Sequence, residues 1–245
     1  MARLYQQGYF ASDDSGSHGY ANYAALEQGL RRTFERRYGF VRGLARGGRA
    51  VDLGCAMGYA LDCLRGDFED RIGIDLAPEA IDEVTRRGHR GICGTLEDAA
   101  LESDSVSLFL SMDTIEHLHH PGAAVREMAR VLRPGGVLVI VTPDYGSLLR
   151  RVSGRNWVSF KIPEHVSYFS RNGMSRILRA ADLEVVRYET DIQYSPIGLV
   201  LDRGAKVLPR TASVARLVLE SSLGLARFVP VYNGMFVAIA RKQGA

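Results

Sequence analysis

From Ala50 onward, short apolar runs alternate with amphipathic stretches. The runs 50–54, 71–75, 91–94, 106–112, 137–142, 183–189 and 234–240 are too short for buried helices and read as strands. Between them, 58–65, 78–87, 122–132 and 171–181 carry a helical period; Pro78 suits a first helical residue and Ser170 a helix N-cap. This alternation predicts a Rossmann-like α/β fold: a mostly parallel seven-stranded sheet with helices on both faces. Upstream, Tyr23, Leu26, Leu30, Phe34, Tyr38 and Val41 recur mostly at i,i+4, so a helix is expected over 21–45, ended by Gly47-Gly48. Two segments fall outside the alternation. One is 145–169, with Trp157, Phe160, His165, Tyr168 and Phe169; the other is 191–231, expected as two amphipathic helices. Both leave the sheet near the rim where ligands bind in open α/β folds. With an N-terminal segment over 1–45 they are read as a substrate lid on a domain spanning 46–245. Covering the sheet faces is the alternative role, and both can hold at once.

At 245 residues, 46% of them apolar, the chain supports one sizeable core. A net charge of +3 is too small to argue for nucleic acid. Arg31, Arg32, Arg36, Arg37, Arg42, Arg46 and Arg49 crowd the first helix and read as a solvated face, with a phosphate or membrane footprint as the alternative. Cys55, Cys63 and Cys93 show no metal spacing and read as reduced, buried thiols, which suits the cytoplasm. The stretch 214–231 is interrupted by Arg216, Glu220 and Arg227, so it is amphipathic and no stable membrane insertion is expected. A homodimer is compatible with these features.

The chemistry concentrates at strand ends. Val51-Asp52-Leu53-Gly54-Cys55-Ala56-Met57-Gly58 reads as a buried strand followed by a glycine turn that opens a helix. Glycines let the backbone approach a ligand closely. Ile72-Gly73-Ile74-Asp75 is a second strand ending in an acid that can accept both hydroxyls of a ribose. The spacing is not Gly-x-Gly-x-x-Gly, and Asp52 would repel a pyrophosphate while suiting a cationic ligand. Binding of a nicotinamide dinucleotide is therefore disfavoured.

This pattern resembles the first motif of the class I S-adenosylmethionine methyltransferases, acid-x-Gly-x-Gly-x-Gly, with Ala56 in place of the middle glycine. The resemblance continues through Glu97-Asp98, Ser111-Met112-Asp113-Thr114-Ile115-Glu116-His117, Val131-Leu132-Arg133-Pro134-Gly135-Gly136 and Pro163-Glu164-His165-Val166-Ser167-Tyr168-Phe169-Ser170. It covers roughly residues 45–190 in family order and is closest to the ubiquinone-type O-methyltransferases and bacterial small-molecule methyltransferases. It implies S-adenosylmethionine as cosubstrate and a small-molecule methyl acceptor. Gly54, Cys55, Ala56 and Gly58 would shape the turn beneath the methionine part, and Asp52 would hold its ammonium. Asp75 would bind the ribose, Leu76 would pack on the adenine face, Thr95 and Leu96 would line the ring, Glu97 or alternatively Asp98 would meet its amino group, and Met112 would lie beside the sulfur and methyl. Thr95 stands where the family commonly has an aspartate. Tyr9 and Tyr20, with Tyr5, Phe10 and Tyr23, look like lid aromatics whose electron-rich faces suit a sulfonium.

In the ubiquinone-type enzymes a Glu-x-x-Glu-His run binds a divalent cation; here its first position is Asp113. Three readings of His117 stand: general base, metal ligand, or a structural histidine before Pro121. His165 is the second base candidate, with Glu164 beside it, and a packed structural role is its alternative. His119 and His120 read as solvated loop residues. His117 and His165 are assigned as catalytic, no metal ligand is assigned, and O-methylation is favoured over N-methylation. A catalytically inactive cosubstrate-binding scaffold would carry the same cosubstrate motifs.

Overall fold

A computed structural model of the chain describes residues 26–205 and 227–244, without the side chains of 202–205. Tyr5, Tyr9, Phe10, Tyr20 and Tyr23 lie outside the described residues. Seven strands form one sheet: β1 (Arg49–Leu53), β2 (Asp70–Asp75), β3 (Arg90–Cys93), β4 (Val106–Met112), β5 (Leu132–Pro143), β6 (Leu183–Thr190) and β9 (Met235–Lys242). Their order is β3-β2-β1-β4-β5-β9-β6. The first five are parallel, and β9 runs antiparallel between β5 and β6. Every residue of β4 is buried, as expected of a strand covered on both faces.

One face of the sheet is covered by α1 (Glu27–Gly39) and α2 (Tyr59–Cys63), where Tyr38, Leu61 and Leu64 pack against Leu108, Leu110 and Val139. The other face takes α4 (Pro121–Val131) and α6 (Arg171–Arg179), with Val125, Met128, Met174 and Leu178 against Phe109, Leu138 and Phe236. The short α3 (Pro78–Arg86) starts with proline, and Ser170 caps α6 by accepting from the Gly173 amide at 3.2 Å. Strand order reverses between β1 and β4, which opens a crevice beyond their carboxyl ends.

The expected seven strands and the helices after Gly58 are present. The insertion 145–169 holds a short α5 (Leu148–Ser153) that periodicity did not signal. Where two amphipathic helices were expected over 191–231, the described part is β7 (Gln193–Pro196), α7 (Ile197–Ala205) and β8 (Phe228–Val231), with β7 and β8 paired antiparallel as a separate small sheet. The first helix spans only Glu27–Gly39, and its buried stripe is not wholly the apolar one. Gly29, Thr33 and Arg37 are buried, whereas Leu30 and Phe34 are half-buried. Gly29 is needed there, because an added Cβ would collide with the Tyr194 carbonyl and the Phe228 ring. Thr33 Oγ1 accepts from the Tyr194 amide at 2.9 Å. This clamps α1 onto the small sheet.

Candidate functional site

Beyond β1 the chain turns through Gly54 and Gly58, both at φ +75, with Ala56 at φ +44 between them. These are left-handed conformations that favour glycine. A Cβ at Gly54 would also strike the Thr114 hydroxyl, which donates to the carbonyls of Leu53 and Met112 at 3.0 Å each and so ties the ends of β1 and β4 together. Ala56 adopts a conformation expensive for an L-residue, roughly 1–2 kcal/mol. Its amide donates to Asp75 Oδ2 at 3.0 Å, and the Ala77 amide donates to Asp75 Oδ1 at 3.0 Å. Asp75 therefore braces the turn from the end of β2 while each oxygen keeps lone-pair capacity for a ligand. Burial raises its pKa, and the backbone donors oppose the rise.

A cavity of about 560 Å³ opens here. At one end it is bordered by Gly54, Ala56, Asp75, Leu76, Thr95, Leu96 and Glu97. Asp98 lies outside it: its carboxylate accepts from the Thr95 amide and hydroxyl at 2.8 Å each, closing the loop after β3. The other end is bordered by Thr114, Glu116, His117, Val158, Ser159, Lys161, Glu164 and His165, with Gln193, Asn233 and Met235. His119 and His120 line its edge while exposed to solvent.

Asp52, Cys55 and Met112 do not border this cavity. They face a neighbouring one of about 130 Å³ that shares Gly54, Ala56, Asp113 and Gln193 with it. Gly58 borders neither; it is the left-handed residue that starts α2. Asp52 is 3% exposed, and its Oδ1 has no hydrogen-bond partner. Burial first, then the charge of Asp75, push its pKa up to about 8 against the pull of Arg37. A buried carboxylate oxygen without a donor, facing a small cavity, suits a cationic group.

Arg37 corrects the reading of a solvated arginine face. It is 2% exposed and grips Asp191 through two bonds of 3.0 and 2.7 Å, while Nη1 reaches Asp113 at 2.8 Å. Two carboxylates offset the cost of burying the guanidinium. Arg31 is also committed, to Glu27 at 2.7 Å and Asp62 at 2.9 Å. The cysteines are free, but only Cys55 is buried; Cys63 is half-buried and Cys93, at the end of edge strand β3, is exposed.

The turn after β4 carries the histidines. Glu116 is buried, and its Oε2 accepts from Thr142 Oγ1 at 3.0 Å. Its backbone carbonyl accepts from the amides of Val166 and Ser167 at 3.0 Å each, which fastens the 145–169 insertion over the turn. Burial and the charge of Asp113 push the Glu116 carboxyl upward. His117 Nδ1 lies 3.0 Å from the Glu164 carbonyl. A carbonyl only accepts, so Nδ1 carries the proton and the neutral ring holds its lone pair on Nε2. Burial lowers the His117 pKa and favours that neutral form. His165 is 7% exposed, edge-on to His117 with centroids 4.8 Å apart, and its Nδ1 has no partner. Burial and the neighbouring charges of His117 and Lys161 bring its pKa down to about 3. One donor atom from each of Glu116, His117 and His165 lies within 4.8 Å of the others.

Sequence reasoning missed Arg37, Thr114, Gln193, Asn233 and Met235. Thr114 sits inside a quoted motif and could have been marked; the others carry no local signal. No helix among the described residues is long and apolar enough to cross a membrane.

A family profile described as a methyltransferase domain matches residues 21–188. The chain is 28% identical over 165 residues to a ubiquinone biosynthesis O-methyltransferase of Burkholderia orbicola, covering 62% of this chain and 71% of that one. It is 30% identical over 125 residues to a malonyl-[acyl-carrier protein] O-methyltransferase of Serratia marcescens, covering 50% and 48%. In fold it is similar to a SAM-dependent methyltransferase from Archaeoglobus fulgidus, with TM-score 0.61 and 14% identity over 90% of this chain and 99% of that one.

Proposed function

The chain belongs to the S-adenosylmethionine-dependent methyltransferases of the methyltransferase-domain family, and from that premise we propose that it methylates a hydroxyl of a small-molecule acceptor. The observation that carries the hydroxyl is His117, a neutral imidazole whose Nδ1–H is spent on Glu164 and whose Nε2 is left as a proton acceptor beside the end of β4. S-Adenosylmethionine supplies a methyl group already activated on a sulfonium, so the chain contributes position and a place for the proton. Asp75 takes the ribose hydroxyls, Leu76, Thr95, Leu96 and Glu97 surround the adenine, and Gly54 and Ala56 lie under the methionine part. Asp52, from the smaller cavity, takes the ammonium, with Cys55 and Met112 beside it; Gly58 acts by starting α2. The acceptor lies against the 145–169 insertion, where His117 Nε2 removes the hydroxyl proton as the oxygen–carbon bond forms and the carbon–sulfur bond breaks. His165 packs against His117 and holds its ring. The insertion at 145–169, with α1 and the described part of 191–231, serves as the cover of this domain. The small charge excess favours such an acceptor over nucleic acid, and the free thiols suit the cytoplasm.

A second reading rests on the donor cluster. The run Asp113-x-x-Glu116-His117 does not act as one unit, because Asp113 is paired with Arg37. Glu116, His117 and His165 fit a cation instead, and two imidazoles with one carboxylate suit a transition metal over Mg²⁺. Such an ion would polarise the acceptor oxygen, with His117 and His165 as ligands.

One experiment separates the readings. Turnover of wild type, His117→Ala and His165→Ala is measured with and without EDTA on a panel of phenolic and aliphatic alcohols. Base catalysis predicts a fall on the order of 10²–10⁴-fold for His117→Ala and no effect of EDTA. Loss of wild-type activity in EDTA, restored by Zn²⁺ or Co²⁺, replaces the base with the metal. Methyl transfer to amines alone ends the hydroxyl assignment.

A further inference from the structure

The two cavities meet at a wall. Among the described residues Gly54, Ala56, Asp113 and Gln193 border both of them. Gly54 has no side chain and Ala56 offers only a methyl, so Asp113 and Gln193 bring the polar side chains there. Asp75 and the adenine contacts border the large cavity, while the small one is bordered by Asp52 with its unpaired oxygen. A cosubstrate with its adenosine in the first and its ammonium in the second must cross the wall. The atom that joins those two parts is the sulfonium sulfur.

One buried arginine fixes both polar side chains of the wall. Arg37 Nη1 donates to Asp113 at 2.8 Å, and the same guanidinium grips Asp191, two residues before Gln193, at 3.0 and 2.7 Å. The Asp191 amide donates to the Met235 carbonyl at 3.2 Å. On the other side of Gln193, the Tyr194 amide donates to Thr33 Oγ1 at 2.9 Å. Gln193 is thus anchored before and after. Its Nε2 donates to Met235 Sδ at 3.5 Å, and no described residue donates to its Oε1. A thioether is a weak acceptor, so this bond turns the amide without satisfying it, and Oε1 is left for a ligand. Two carboxylates against the single Arg37 cation also leave the wall with an excess of formal negative charge.

We propose, resting on the cosubstrate placement given above, that Gln193 is a specificity-determining residue whose Oε1 reads the positive charge of the sulfonium, and that Arg37 is the positioning residue that holds it there. In the transfer the carbon–sulfur bond breaks with its electron pair left on sulfur, the acceptor oxygen bonds the carbon, and the hydroxyl proton goes to His117. The sulfonium becomes a neutral thioether. A carbonyl oxygen beside that centre attracts the cation and its polarised methyl hydrogens, and the attraction ends once the charge is gone. Gln193 therefore makes the site hold S-adenosylmethionine more tightly than the product, S-adenosylhomocysteine. A side chain of equal size without the oxygen would close the wall and lose this discrimination.

The test is calorimetric affinity of the full chain for both ligands, read as their ratio. Gln193→Leu should bind S-adenosylmethionine about tenfold more weakly, the low end for losing a polar contact to a charged group, with S-adenosylhomocysteine within about twofold of wild type. Retained product binding shows that the variant is folded. Gln193→Glu keeps an oxygen at the same reach, so its ratio should equal or exceed that of wild type. Asp191→Asn loosens the grip of Arg37 and should lower the ratio in the same direction by less. Asp52→Asn should weaken both ligands alike, since both carry the ammonium. An unchanged ratio in Gln193→Leu, equal loss of both ligands in it, or a ratio that falls as far in Gln193→Glu overturns the proposal and leaves the cosubstrate placement standing. No change for either ligand in Asp52→Asn overturns the placement, and the proposal with it.

Discussion

The two ends of the large cavity are built by different means. The end at Asp75 is made of the terminations of β1, β2 and β3, and its backbone donors are spoken for: Ala56 and Ala77 give their amides to Asp75, and Thr95 gives its amide to Asp98. The end at His165 is an irregular insertion whose His165 Nδ1 is buried without a partner, as is Asn233 Oδ1 across the cavity. The first end is organised by the fold itself and can serve one invariant cosubstrate. The second holds polar atoms that a particular acceptor would have to satisfy, so selectivity belongs there. Asp52 is the exception on the first side; its unpaired oxygen faces the smaller cavity, where a cation fits.

The strongest way to break this division is to cut the clamp beneath both ends. Asp191→Ala leaves Arg37 buried with Asp113 alone and should cost about 3–5 kcal/mol, the range for orphaning a buried charge. Urea unfolding checks it, and a loss under about 1 kcal/mol would mean that water reaches Arg37 and replaces the partner. Next, Asp75→Ala should weaken S-adenosylmethionine binding by on the order of 1.5–3 kcal/mol in calorimetry, while affinity for the acceptor changes little. Equal losses at both ends would show that they are not separately organised.

The difference also decided what could be read from sequence. Asp75 was legible because it ends a short apolar run and so stands where a strand stops at the sheet rim, and the parallel pairing of β1 to β5, though not their spatial order, followed from alternation. Arg37 was not, since its partners Asp113 and Asp191 lie 76 and 154 residues away and nothing local distinguishes it from Arg36. β7 is four half-buried residues ending in proline, too short and too evenly wetted to show a period. Cys93 looked buried because it ends a strand, but β3 is the sheet edge. In the acceptor half, His117 and His165 were legible as residue types, while their edge-on pairing depends on the Glu116 carbonyl anchoring a distant loop.

Smaller effects sharpen the comparison. Ala56→Gly relieves the left-handed alanine, so the turn should tolerate it, with a stability change within about 1 kcal/mol of wild type in urea. A large loss would show that the methyl group packs on something the turn needs. His165→Gln should change little at neutral pH and more in acid. The folded pKa, about 3, lies below the ordinary 6.5, so the folded state keeps this ring neutral while the unfolded chain gains a proton. Wild-type stability contributed by this site is full above about 6.5 and is lost as pH falls toward 3. The glutamine variant should lose less over that window, and parallel melting curves from pH 7 to pH 4 would remove the assignment.

The placement of β9 has a consequence for synthesis. Residues 235–242 run between β5 and β6, so both strands keep an open edge until nearly the whole described chain has left the ribosome. Asn233 and Met235, which complete the cavity wall, arrive with the same strand. The nascent chain can pair β1 to β5 early, but it completes its ligand cavity only when β9 emerges, and until then β5 and β6 carry open edges that invite aggregation. A ligand of the acceptor end can therefore stabilise only chains that already carry β9, and a chain arrested before residue 233 should depend on chaperones in a way that a chain carrying β9 does not.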